Sequence, residues 1–387
     1  MNINSDQRYK ELNFILRDDK CFKIICGAGN EDKNKVKKLA LIYTLAGANM
    51  IDVSANVGVV KSANEGIKLA YEKCKNFEID IKTKPYIMIS VGMPGDHHVR
   101  KSYIDPQTCI ACALCAPVCP TNAIPYDFHE KLDFYKSLGG TYDIECQSKE
   151  IVIKSLCIGC GKCSNICPKS NIISYRHDKK ALKRILPECI EAGAECIELH
   201  AGIDDDNIFI KEWALINEIN QNNFNSLCLD RLNLGNFNLE NRIKKAKEIS
   251  GNKLIIQADG YPMSGGTDDY NTTLQAVACA DVVNKKFNVK IHRKKDKIRK
   301  KLDINTKKSL RRKVDKNFVY VIISGGTNSL SKKLARQCNI NVNGIAIGTY
   351  ARNIVEEFLS KEDFYEDDIN LLNAVKVAKK LIDANIE

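Results

Sequence analysis

No stretch of this sequence is long and apolar enough to cross a bilayer: the longest apolar runs, residues 86–91 and 319–323, fall far short of the ~20 residues a spanning helix needs. The start is equally bare, because Met1-Asn2-Ile3-Asn4-Ser5-Asp6 has no basic segment leading into an apolar core, as a secretory leader would. Proline is scarce, with 9 in 387 residues, while 44% of residues are hydrophobic, enough apolar side chain to bury a globular core. A soluble, cytoplasmic protein with no membrane span is expected. In that compartment thiols stay reduced, so the 17 cysteines point to metal rather than to disulfides.

The formal charge of +11 is concentrated in one place. Between residues 285 and 316, sixteen Lys/Arg face three Asp, a local charge of +13 that leaves −2 for the rest of the chain. A near-neutral protein with one basic segment is not composed as a nucleic-acid binder. The segment is expected to be a solvated excursion, with attraction to polyanions a secondary consequence.

Short β-rich runs alternate with helical patterns along the remainder. Residues 22–25, 50–53, 86–91, 196–199, 227–229, 254–257, 319–323 and 344–347 read as strands. Between the first two, Val36, Leu39, Ala40 and Tyr43 recur at helical spacing, and Gly47 is placed to end the helix. Eight such units imply an α/β fold, a TIM-type (β/α)8 barrel; an open doubly wound sheet satisfies the same alternation. The domain boundaries expected are 1–92 for the first part of the barrel, 93–178 for an inserted α+β ferredoxin-like domain, and 179–387 for the second part, with the basic excursion at 285–316. An insertion after the third strand emerges at the C-terminal mouth of the barrel, where active sites of this fold lie.

Two cysteine runs carry the strongest signal. Cys109-x2-Cys112-x2-Cys115-x3-Cys119-Pro120 is followed by Cys157-x2-Cys160-x2-Cys163-x3-Cys167-Pro168. Three thiolates spaced by two residues wrap one corner of a cubane, and the fourth, after a longer step, points toward the other cluster. Cluster I is therefore expected on Cys109, Cys112, Cys115 and Cys167, and cluster II on Cys157, Cys160, Cys163 and Cys119. Two zinc sites are the alternative, but zinc ribbons pair two Cys-x-x-Cys units and do not repeat four-cysteine runs ending in proline. Both runs resemble bacterial-type two-cluster 4Fe-4S ferredoxins, with an unusually long linker that carries Cys146. An ordinary small buried role is expected for Cys146, as for Cys21, Cys74, Cys189, Cys196, Cys228, Cys279 and Cys338.

The positions just beyond each strand are Cys26, Ser54, Ser90, His200, Asp230, Arg231, Asp259, Ser324 and Thr349. Any barrel yields such a set, and none of them is assigned a catalytic role. More specific are Gly325 and Gly326 after the seventh strand and Gly348 and Thr349 after the eighth, where glycines let backbone N–H groups approach a phosphate. Tight βα turns need glycine for steric reasons too. The glycine-rich loop 259–268 is long enough for a lid or binding loop, with Asp259, Asp268 and Asp269 expected to be solvated carboxylates rather than cation ligands.

Several blocks together resemble the cyanobacterial light-dependent period protein family: Ile24-Ile25-Cys26-Gly27-Ala28-Gly29-Asn30, Leu39-Ala40-Leu41-Ile42-Tyr43-Thr44-Leu45-Ala46-Gly47, Ala258-Asp259-Gly260-Tyr261-Pro262-Met263-Ser264-Gly265, Ser324-Gly325-Gly326-Thr327-Asn328 and Gly348-Thr349-Tyr350-Ala351-Arg352. The resemblance implies a regulator that senses cellular redox state and adjusts circadian period in response to light, with clock and input-kinase components as protein partners. The basic segment is longer than the family leads one to expect. Three functions compete: this redox sensor; a barrel oxidoreductase whose clusters pass electrons from a donor to a flavin seated on Gly325, Gly326 and Gly348; and a nucleic-acid-binding module using residues 285–316. The first is favoured, and no tightly bound flavin is expected.

Overall fold

The computed structural model describes residues 5–94, 96, 100–127, 151–154, 156, 157, 159, 161–176, 181–261, 268–288 and 317–386. Cys146, Cys160, residues 262–267 of the glycine-rich loop and residues 289–316 of the basic segment lie outside the described residues.

Eight parallel strands form a closed barrel: β1 (Cys21–Gly27), β2 (Met50–Ser54), β3 (Tyr86–Gly92), β6 (Cys196–His200), β7 (Asn225–Asp230), β8 (Leu254–Asp259), β9 (Tyr320–Ser324) and β10 (Gly344–Ile347), in spatial order β1-β10-β9-β8-β7-β6-β3-β2. Closure is read at Lys23, which registers with Met50 on one side and Ala346 on the other. An open sheet is thereby excluded. Between β3 and β6 the chain makes a separate antiparallel ribbon, β4 (Lys101–Ile104) with β5 (Ile173–Arg176).

The helices bury the face their periodicity dictates. In Lys33–Ala46 the side chains of Val36, Leu39, Ala40 and Tyr43 are all buried against the barrel, Asp32 caps the start by accepting from the Lys35 N–H at 3.0 Å, and Gly47 ends it in a left-handed turn at φ 95°. One element has no counterpart in the strand and helix pattern read above: the helix Ser5–Arg17 closes the N-terminal end of the barrel, with Leu12 and Leu16 packed among Cys21, Met50, Tyr86 and Cys196. Each buried leucine contributes roughly 1.5–3 kcal/mol. Arg8 fixes the helix by donating to Glu195 at 2.6 Å and to the Lys84 carbonyl at 2.9 Å.

Strand side chains alternate, so the residues facing the barrel axis form layers. The lowest layer is mostly apolar, from Cys21, Met50, Tyr86, Cys196, Ile255 and Tyr320. Above it stand Lys23, Asp52 and Glu198, and then His200, Cys228 and Gln257. Two cysteines differ from expectation. Cys338 is exposed and Cys74 only partly buried, because each caps the C-terminal end of a helix at the surface rather than facing the core.

Candidate metal centre and barrel mouth

Among its described residues the insertion has a ribbon and the short helix Lys162–Ile166 as its regular structure. Its core is built from Ile104, Ala116, Ala123, Ile124, Ile151, Val152 and Ile172 around the buried Cys109, Cys115, Cys157 and Cys163. The two cysteine runs share left-handed backbone at two matching positions. Ala111 and Ala113 are left-handed at φ 55° and 59°, and Gly159 and Gly161, at the equivalent places in the second run, are left-handed at 68° and 79°. Left-handed residues at these steps turn the backbone sharply between cysteines. Alanine pays about 1–2 kcal/mol for that conformation and glycine does not.

All described cysteines are free thiols. Cys119, at the end of the first run, lines one cavity with Cys157 and Cys163 of the second, together with Ser102, Val152 and Gly159. The Ser102 N–H donates to the Cys157 sulfur at 3.4 Å and the Ala123 N–H to the Cys119 sulfur at 3.2 Å. Burial, aided by the nearby Cys109, Cys163 and Cys112, pushes the Cys115 thiol up to about 12. A thiol so placed loses its proton to solvent when a cation binds its sulfur. Grouped thiols with amide donors aimed at sulfur fit an iron–sulfur cluster.

One basic residue ties this region to the barrel, and a second braces the region internally. Lys101 donates to the Cys157 carbonyl at 2.7 Å and to the Gly29 carbonyl, in the loop after β1, at 2.5 Å, and pairs with Glu31 at 3.5 Å. Burial pulls its ammonium below the ordinary lysine range. Arg100 donates to the Gly159 carbonyl at 3.0 Å and stacks on Tyr175.

The nine positions expected at the mouth all lie at or near the C-terminal ends of strands, though their roles differ. Ser90 donates to Asp52 at 2.6 Å and Ser324 to Asp259 at 2.5 Å, all four buried. Asp230 caps the helix Arg231–Ser250 by accepting from the Asn233 N–H at 2.7 Å. Arg231 donates to Asn236, Thr349 accepts from Arg352, and burial pushes the Cys26 thiol up to about 12. Of the three loop carboxylates, Asp268 is a solvated helix cap, but Asp259 is buried inside the barrel as the last residue of β8, a correction to its reading as solvated.

Gly325 and Gly326 are left-handed at φ 82° and 61°. A Cβ on Gly325 would stand 2.5 Å from the Gly260 nitrogen, and one on Gly326 2.5 Å from the Asp269 carbonyl oxygen. Close approach of these backbones gives both glycines a steric reason. Gly348 lies beside the Arg352 guanidinium, which donates to the Ile25 carbonyl at 2.7 Å.

The deepest polar group escaped the reading of strand ends. Lys23 pairs with Asp52 at 3.0 Å and Glu198 at 2.7 Å, all three essentially inaccessible. Glu198 also accepts from the Ser226 hydroxyl at 2.7 Å and from the Gln257 amide at 2.9 Å. The two carboxylates outweigh burial and hold the Lys23 ammonium above its ordinary range, whereas burial lifts Asp52 despite Lys23. A signal was available: each is a charge in the middle of a strand with apolar neighbours on both sides, which a soluble barrel tolerates only when charges meet inside.

Fold and site together define an iron–sulfur protein built on a (β/α)8 barrel. A 4Fe-4S double cluster binding domain matches residues 108–170 and a 4Fe-4S dicluster domain residues 149–199, the latter running into β6. Among named proteins, the chain is 38% identical over 105 residues to Light dependent period A of Synechococcus elongatus, which is 27% of this chain and 28% of that relative's length. It is also 73% identical over 22 residues to a ferredoxin of Alicyclobacillus acidocaldarius, 6% of this chain and 28% of that protein. Two solved structures align along most of the chain: a putative deoxyribose-phosphate aldolase from Toxoplasma gondii at 11% identity (94% of this chain, 98% of that one, TM-score 0.41), and a fructose-bisphosphate aldolase from Campylobacter jejuni at 9% (98% and 92%, TM-score 0.40). The barrel rests on strand pairing and not on those alignments. No helix among the described residues is long and apolar enough to cross a membrane.

Proposed function

We propose that residues 93–178 carry two 4Fe-4S clusters with crossed ligation, and that their redox state is read out through the barrel as a regulatory signal. Cys109, Cys112, Cys115 and Cys167 would hold one cluster, and Cys157, Cys160, Cys163 and Cys119 the other. The company Cys119 keeps with Cys157 and Cys163 supports the crossing. When bound, a cluster supplies one-electron chemistry, its potential tuned by donors to sulfur such as the Ser102 and Ala123 amides.

The observation that carries a sensing role is Lys101. One ammonium spans the carbonyl of a cluster ligand, Cys157, and the loop after β1 through Gly29 and Glu31. A change of charge or shape at the cluster therefore acts directly on that loop. The likeness to Light dependent period A supports light and the circadian clock as the context, with clock and input-kinase components as partners and a cytoplasmic electron donor or acceptor as the source of the signal.

Hydrogen exchange on anaerobic protein, oxidised and then reduced with dithionite, tests the sensor. Exchange in residues 27–31 is expected to change with redox state and to stop changing in Lys101→Met. Identical exchange in both states overturns the reading. A second reading, the oxidoreductase, draws on the Arg352 guanidinium beside Gly348, a positive charge where a cofactor phosphate would sit. Stoichiometric flavin released on heating would favour it; an iron–sulfur spectrum without flavin favours the sensor.

A further inference from the structure

We propose that the barrel interior holds one divalent transition-metal ion, zinc or ferrous iron, on Glu198, His200, Cys228 and Gln257, apart from the cluster cysteines. One ligand atom from each of Glu198, His200 and Cys228 lies within 4.8 Å of the others, and all three residues are buried. The strand frame places them there. Glu198 and His200 are two apart on β6 and so face the axis together, Cys228 registers with His200 across to β7, and Gln257 registers with Cys228 across to β8.

The spacing suits a tetrahedral ion. Zinc bond lengths to nitrogen, oxygen and sulfur imply ligand–ligand edges of about 3.3–3.8 Å. His200 Nε2 stands 3.5 Å from Glu198 Oε1 and the Gln257 amide 3.4 Å from the Cys228 sulfur, both within that range, while the Gln257 amide, hydrogen-bonded to Glu198 Oε1 at 2.9 Å, would move out by a few tenths of an ångström on binding. Lys23 and Ser226 occupy the other oxygen, Glu198 Oε2, leaving Oε1 directed at the proposed ion.

Gln257 supplies an independent observation. Its Oε1 is buried with no hydrogen-bond donor among the described residues, while its Nε2 faces Glu198 and Cys228. The two amide ends are assigned from surroundings alone. Turned by half a rotation, the amide presents its oxygen to the same two ligand atoms, an arrangement made favourable by a cation among them. Charge agrees: Lys23 is already shared by Asp52 and Glu198, so a Cys228 thiolate beside Glu198 adds negative charge that a divalent ion offsets. Mixed sulfur, nitrogen and oxygen donors select zinc or ferrous iron over magnesium or calcium. On binding, the Cys228 thiol proton leaves to solvent.

The experiment uses the full chain, purified anaerobically with its clusters and incubated with Zn2+ or Co2+ before metal and sulfide analysis. One equivalent beyond the sulfide-matched iron is expected, and Co2+ should show thiolate-to-cobalt charge transfer. Cys228→Ser should abolish that band and His200→Gln lower the occupancy at least tenfold, with sulfide content unchanged in both. No additional equivalent in the parent protein, or an equivalent that persists in both variants, overturns the site. Should a variant misfold, X-ray absorption at the zinc edge of the parent protein decides: a shell with one sulfur supports the proposal, and a four-sulfur shell overturns it.

Discussion

In the insertion, the chemistry-bearing groups are thiols that all fall between residues 109 and 167, held by a ribbon, one short helix and a small core. In the barrel, Lys23 meets a Glu198 that is 175 positions away, and the meeting is arranged by eight hydrogen-bonded strands with an extensive apolar layer outside them. Local spacing thus organises the first site and long-range pairing the second. The insertion gathers its thiols over a small core and short-range turns, whereas the barrel must neutralise its buried charges within a frame set by long-range strand pairing.

The largest effect should follow from breaking the crossed ligation. Cys119→Ser is expected to remove roughly half the iron and the resonance of the cluster on Cys157, Cys160 and Cys163, with iron analysis and electron paramagnetic resonance as the readout. Loss instead of the cluster on Cys109, Cys112 and Cys115 would mean that each run serves its own. Barrel stability should change little, which separates the two regions directly.

The converse cut is Lys23→Met, which leaves Asp52 and Glu198 buried together without their shared cation. A loss of about 3–5 kcal/mol in denaturant unfolding is expected, since an uncompensated buried charge is among the costliest defects. Adding Asp52→Asn and Glu198→Gln should recover most of it. A Lys23→Met protein of unchanged stability would show the network to be dispensable.

A smaller effect compares the two cysteine runs. Ala111→Gly with Ala113→Gly gives the first run the glycines that the second already has at Gly159 and Gly161. The pair should stabilise the insertion by about 1 kcal/mol, the relief of left-handed strain exceeding the added freedom of the unfolded chain. Slower loss of cluster absorbance under chelator would register it; faster loss would show that the alanines are not strained.

The smallest effect is expected in the basic segment. Its first four residues belong to the barrel, since Phe287 is buried and Asn288 exchanges hydrogen bonds with the Val319 backbone at 3.0 and 3.1 Å. That clasp brings the ends together, so residues 289–316 can be replaced by a short Gly/Ser linker. Cluster content and melting temperature should both be preserved, and destruction of either would make the segment structural.

Much was determined by sequence alone. Eight strands were legible because parallel barrel strands are apolar on the outer face and sit between helices of clear period, and the iron–sulfur domain because its repeated cysteine spacing is contiguous in sequence. Gly325 and Gly326 were visible as special positions, but not the reason, which is backbone from 260 and 269 pressing on them. Likewise the nine mouth residues could be placed at strand ends, yet not sorted into a helix cap at Asp230 and a buried acceptor at Asp259. The closed order of the sheet, the Ser5–Arg17 plug, the ring of Lys23, Asp52 and Glu198, and the grouping of Glu198, His200, Cys228 and Gln257 were decided only by the tertiary structure. Register is the physical reason: a strand's sequence says which residues share a face, but only its hydrogen-bonded neighbours decide which face is inside and which distant charge stands opposite.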